Sequence, residues 1–205
     1  MRFEQITQKD IFNLVSGSPR RRWLISLLPL KVNIIGIDSD SIEKPSDGVI
    51  CPHCYARENS RIKALHGIGY VKKGYILACD TVVFCQGHVL GKPADHEQAF
   101  YSLKSLSGIT HSVISSITLY DTVRDKLWTD SEESLVSFRE IPDQEINDYI
   151  DSGEPFGKAG SYALQGHASR FLADIRGTKS NVYGLPLKTL VSMILRVKSE
   201  SIRSL

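Results

Sequence analysis

What this 205-residue chain lacks narrows its possibilities first. No segment approaches the roughly 20 consecutive apolar residues of a membrane span. Residues Met1 to Asp10 are polar and hold no apolar stretch, so neither a secretory signal nor a membrane partner is expected. Cysteine is sparse: four residues are too few for a secreted disulfide framework, and a reducing cytoplasm is the expected setting. Net charge is small, with 25 basic against 23 acidic residues, too little by itself to argue for nucleic acid as a partner. No internal repeat and no Gly/Ser-rich linker divides the chain, which is expected to form one domain over residues 1–205. Its 41% apolar and 23% charged residues are ordinary globular values. A chain of this length buries about two thirds of its unfolded surface and needs no disulfide or zinc to fold.

What is present mixes short β-rich runs with helical stretches, the signature of an α/β fold. Strands are expected at Phe12–Val15, Val32–Ile37, Tyr75–Cys85, Val113–Tyr120 and Glu133–Arg139. One helix opens at Ser18 with Pro19 in its first position and Leu24, Leu27 and Leu28 on one face. A second opens at Asp95, with Gln98 three residues on and Gly108 past its end. A third runs from Asp143 through Ile146, Tyr149 and Ile150 to Gly153. The last starts at Pro186 and turns Leu187, Leu190, Val191 and Ile194 inward.

Two segments carry chemistry. In Ser16-Gly17-Ser18-Pro19-Arg20-Arg21-Arg22, three arginines occupy the first turn of a helix. The partial positive charge there favours acids, so the sign is the unfavourable one. Amide N–H groups and guanidiniums gathered at one point suit a polyphosphate. A solvated basic turn or a nucleic-acid contact satisfies the same pattern. The second segment is Ile76-Leu77-Ala78-Cys79-Asp80-Thr81-Val82-Val83-Phe84, an apolar strand broken by one acid. Alternation puts Ala78, Asp80 and Val82 on one face and Cys79, Thr81 and Val83 on the other. A buried carboxylate costs several kcal/mol unless it is paired, so Asp80 needs a partner, a metal or a task. Downstream, Lys92 sits in a turn beyond a hairpin at Gly87. An acid beside phosphate-holding cations is the equipment of phosphoryl chemistry.

Cys51-Pro52-His53-Cys54 invites a zinc reading. Completing a Cys₄ site needs Cys79 and Cys85, about 20 Å apart on one extended strand, which excludes it. A free, reduced pair is the expectation, with a redox or metal role as the alternative.

Taken in order, these words resemble the Maf family of nucleoside triphosphate pyrophosphatases. They are Ser-Gly-Ser-Pro-Arg-Arg (Ser16–Arg21), Asp-Thr-Val-Val (Asp80–Val83), Leu-Gly-Lys-Pro (Leu90–Pro93) and Leu-Ser-Gly-Ile-Thr-His (Leu106–His111). Further along come Gly-Glu-Pro-x-x-Lys-Ala-Gly-x-Tyr (Gly153–Tyr162), Leu-Gln-Gly (Leu164–Gly166) and Ser-Asn-Val-Tyr-Gly-Leu-Pro-Leu (Ser180–Leu187). The resemblance implies a Maf/Ham1-like, two-lobed α/β fold with an elongated mixed sheet flanked by helices and a cleft between lobes. It implies a cytoplasmic, homodimeric hydrolase that cleaves a nucleoside triphosphate to monophosphate and pyrophosphate with a divalent cation such as Mg²⁺ or Mn²⁺. Asp80 matches the family's proton acceptor. Arg20, Thr81 and Gln165 match positions linked to substrate choice, and Ser16, Arg21, Lys63, Lys92 and Lys158 match polar positions lining the cleft. The Asp-Thr and Leu-Gln-Gly forms resemble the branch acting on dTTP and UTP.

On this reading the Ser18 helix start, Arg20, Arg21 and Lys92 grip the triphosphate. Asp80 aids a cation and an attacking water, assisted by an acid of the Asp38–Glu43 stretch, Asp38, Asp40 and Glu43 being the candidates. Gln165 reads a pyrimidine edge. The rivals are a pyrophosphatase for 7-methyl-GTP or damaged purine triphosphates, a non-catalytic regulator of septum formation or division, and a nucleic-acid binder working through Arg20–Arg22.

Overall fold

The structure is a computed structural model that describes residues 7–36, 42–44, 48 and 51–203. Seven strands form one mixed sheet in the order β2-β1-β3-β5-β6-β7, with β4 paired to β3. They are β1 (Ile11–Val15), β2 (Lys31–Ile35), β3 (Tyr75–Cys85), β4 (His88–Leu90), β5 (Thr110–Asp121), β6 (Lys126–Phe138) and β7 (Leu172–Arg176). β1 runs parallel to β2 and β3, and the remaining pairings are antiparallel.

β3 is central because it is apolar on both faces except at one height. On one face Tyr75, Leu77 and Cys79 join a cluster with Leu24 and Ile25 of α1 (Pro19–Ser26) and with Leu190, Met193, Ile194 and Val197 of α6 (Leu187–Arg203). Those α6 positions follow the i, i+3, i+4, i+7 spacing of a single helical stripe. Further along the same face, Val83 and Cys85 enter a second cluster with α3 (His96–Leu106) and α4 (Asp143–Asp151). On the opposite face, Ile76 and Ala78 meet Ala64, and Val82 meets Ala56, both from α2 (Pro52–His66). Asp80 and Thr81 fall between these clusters, one on each face. Two apolar bodies thus flank one polar break, which is the two-lobed arrangement.

Strand pairing opens the break into a cleft. On one edge β3 pairs continuously with β5 from Tyr75↔Asp121 to Phe84↔Ser112. On its other edge β1 pairs only as far as Val15↔Ala78, and β4 begins at Val83↔Leu90. Among the described residues, 79–82 have no partner strand on that side.

Most expected elements form. Ser18 caps α1 and Pro19 occupies its first turn. Asp95 caps α3 through Gln98 N at 2.8 Å, while the Gln98 side chain reaches back to Ala94 N at 3.1 Å. Three expectations need correction. β2 ends at Ile35, with Gly36 beyond it and residue 37 outside the described residues. β5 and β6 are longer than expected; in β6 the polar side chains at Thr129–Glu132 sit half-buried rather than ending the strand. Cys51 and Cys54 are joined by a disulfide instead of being free. Cys51 is the extended N-cap of α2 and Pro52 begins the helix, so Cys54 lies one turn on with its Cα 5.3 Å away. Cys79 and Cys85 are buried thiols.

Candidate active site

The polar break opens on a cavity of about 950 Å³, within the usual size range of small-molecule sites. Its lining includes Ser16, Ser18, Arg20, Arg21, Glu43, Lys63, Asp80, Thr81, Lys92 and Lys158, together with Lys44, Tyr55, Asn59 and Tyr162. Six cationic side chains face two carboxylates there. That excess suits a polyanion.

One wall is an ion-pair chain. Asp80 is 5% exposed, and its Oδ1 accepts from Lys63 Nζ at 2.5 Å. Lys63 is 2% exposed and also donates to Glu43 Oε1 at 2.7 Å, which Lys92 Nζ reaches at 3.1 Å. Asn59 Nδ2 lies 3.5 Å from Asp80 Oδ2 and fixes the plane of the carboxylate. Tyr55, Asn59 and Lys63 stand four residues apart on α2, so one helical stripe supplies the cleft. Asn59 was not singled out from the sequence. Continuing the helix from Pro52 and reading its i, i+4, i+8 polar positions finds it.

The opposite face holds the arginines. Arg21 Nε donates to the Gly184 carbonyl at 2.8 Å, and Nη2 donates to Thr81 Oγ1 at 3.0 Å. Gly184 has φ +105°, a conformation that side-chained residues rarely adopt, and this aims its carbonyl at Arg21. The segment is stapled to the sheet by buried Asn181 of α5 (Lys179–Val182). Its Nδ2 donates to Val113 O and Ser134 Oγ at 2.9 Å, and its Oδ1 accepts from Ser115 N at 3.1 Å. The Ser-Asn-Val-Tyr-Gly word therefore positions Arg21. Burial and the neighbouring Arg21 lower the pKa of Arg20. Burial, then Arg20, lower that of Lys158, with Glu154 opposing. Both cations are partly buried and line the same cavity, a setting that an incoming anion relieves.

The helix start differs in detail from an open amide cradle. Ser16 Oγ accepts from Ser18 N at 3.1 Å, and Ser18 Oγ accepts from Arg21 N at 3.5 Å. These serines shape the turn and engage two of its amides. Gln165 is exposed and outside the cavity lining, because its neighbours Ala163 and Leu164 turn inward in its place. Asp38 and Asp40 lie outside the described residues. Glu43 joins the wall through Lys63 and Lys92.

The model of the family described as Maf-like protein matches residues 12–197. The chain belongs to the Maf family. It is 41% identical over 190 residues to a dTTP/UTP pyrophosphatase of Ruminiclostridium cellulolyticum, covering 93% of this chain and 97% of that one. It is 39% identical over 187 residues to a dTTP/UTP pyrophosphatase of Clostridium tetani, covering 89% and 95%. Among solved structures, a HAM1 protein from Coxiella burnetii gives a TM-score of 0.44 at 16% identity, over 64% of this chain and 74% of that one. The Maf match spans both walls of the cleft, so the words that form the site belong to one inherited unit.

A hard divalent cation fits the wall on its chemistry. Asp80 and Glu43 offer carboxylate oxygens around one lysine nitrogen, and Mg²⁺ is commonly held by one or two carboxylates plus substrate phosphates. Among the described residues no group of three or more His, Cys, Asp or Glu side chains is placed to hold a metal ion.

Proposed function

We propose that this protein hydrolyses dTTP and UTP to the monophosphate and pyrophosphate, a cytoplasmic, homodimeric housecleaner of the nucleotide pool. The observation that carries the reading is Asp80, buried and held by Lys63 in a cavity otherwise dominated by cations. The triphosphate lies against Arg20, Arg21, Lys92 and Lys158. Asp80 orients a water and takes its proton as the water oxygen bonds to the α-phosphorus. The α–β bridging oxygen departs with pyrophosphate, its charge met by the lysines and arginines. Lys63 holds Asp80 in place. A divalent cation, held by Asp80 and Glu43 when bound, supplies further charge neutralisation. Gln165, exposed and outside the cavity lining in this structure, is the residue assigned to pair with O4 and N3–H of the pyrimidine.

The test is a panel of nucleoside triphosphates read for pyrophosphate, with Mg²⁺ or Mn²⁺ and with chelator. dTTP and UTP are expected to turn over fastest, with pyrophosphate rather than orthophosphate released. Preference for 7-methyl-GTP or a purine triphosphate overturns the substrate assignment, and an inert protein overturns the enzyme.

A further inference from the structure

Glu154 touches neither Asp80 nor Lys63, yet it ties together several parts of the opposite lobe. It follows α4 in the Gly153-Glu154-Pro155 turn. Tyr149 Oη donates to its Oε1 at 2.9 Å, and His167 N donates to its Oε2 at 3.0 Å. The same Tyr149 hydroxyl accepts from Ala163 N at 3.2 Å. Ala163 and His167 flank Gln165, two residues to either side. Between them, Gly166 packs so tightly on the carboxylate that a Cβ there would collide with both oxygens. Tyr149 is fully buried, and burial together with the facing carboxylate raises its pKa, so the hydroxyl remains a donor. Glu154 is also the carboxylate whose charge acts on both Arg20 and Lys158.

We infer that Glu154 and Tyr149 are positioning residues that fix the Gln165 loop and so set base selectivity. The inference rests on Gln165 reading the base. A glutamine amide that is free to turn presents either its oxygen or its nitrogen, and so accepts cytosine as readily as uracil. Discrimination needs the loop clamped at both ends. The clamp needs a carboxylate, because its two oxygens accept from two separate donors. A glutamine at position 154 must turn its amide NH₂ toward one of them.

The test compares wild type with Tyr149→Phe, Glu154→Gln and Gln165→Ala, measuring kcat and KM for UTP and CTP and the thermal midpoint of each. Tyr149→Phe and Glu154→Gln are expected to lower the UTP/CTP ratio of kcat/KM about tenfold. The loss should lie mainly in KM for UTP, with kcat within about threefold. A purely structural role lowers both nucleotides by one factor, leaves the ratio unchanged, and overturns the inference. If Gln165→Ala collapses the ratio while the other two variants keep it, the base reader stands and the clamp falls. If Gln165→Ala keeps the ratio, the base reading fails and takes the clamp with it.

Discussion

Replacing Lys63 by methionine should unfold this protein more readily than any other single change at the cleft. Methionine keeps most of the apolar stem, so packing along α2 changes little. What disappears is the ammonium between Asp80 Oδ1 at 2.5 Å and Glu43 Oε1 at 2.7 Å. Asp80, 5% exposed, then keeps only Asn59 at 3.5 Å among its described partners. Removing one member of a buried ion pair costs about 3–5 kcal/mol, because the survivor stays charged and poorly solvated. Against a typical total of about 5–15 kcal/mol, that is a large share. At a urea slope of about 2 kcal/mol/M, the midpoint should fall by about 2 M. Asp80→Asn alone should cost far less, since Lys63 keeps Glu43. Combining the two substitutions should restore most of the loss, giving a coupling energy of the size seen between contacting charged groups. Urea unfolding of the four proteins of this cycle measures it. A Lys63→Met midpoint within about 0.3 M of wild type, or a double variant no more stable than Lys63→Met, refutes the reasoning.

Asp80→Asn should lower pyrophosphate release by about 10²–10⁴-fold while near-native circular dichroism persists; near-normal turnover removes Asp80 from the chemistry. Buried His111 donates to or accepts from Tyr162 Oη at 2.8 Å, and burial lowers its pKa to about 4 from 6.5. The folded state resists protonation there, so stability present above pH 6.5 is lost as pH falls toward 4. The loss amounts to about 3 kcal/mol and should be absent from His111→Gln, as urea titrations across that window will report. Asn181→Ala removes the side-chain partners of Val113 O and Ser115 N, while Ser134 Oγ keeps its bonds to Thr178. The substitution should cost about 3 kcal/mol in chemical denaturation and raise KM as Gly184 loosens its hold on Arg21.

How far the sequence could be read depended on whether a residue's partner was local. Ser18, Pro19, Asp95 and Gln98 act within a few residues of themselves, so their caps were visible directly. Alternation alone assigned Asp80 and Thr81 to opposite faces, and their contacts with Lys63 and Arg21 bear that out. Arg20, Lys92 and Lys158 were legible as cations in turns, and the fold gathers them around one cavity. Asn59, Glu154 and the Gly184 carbonyl were not singled out, because each acts on a partner far away or at the end of another element. Gln165 was legible as a motif, but its outward turn is decided by contacts of Ala163 and His167 that spacing does not encode. The disulfide at Cys51 and Cys54 was missed for a related reason. Its geometry follows from Cys51 capping a helix that the sequence reading did not place.

The ten consecutive pairs between β3 and β5 tie both lobes to one uninterrupted ladder on the side away from the opening. Widening the mouth therefore means bending a sheet, a stiff deformation shared over many hydrogen bonds, rather than swinging a linker. The gap's shape is thus settled when the polypeptide folds, and a nucleotide arriving later meets walls that have already surrendered most of their freedom.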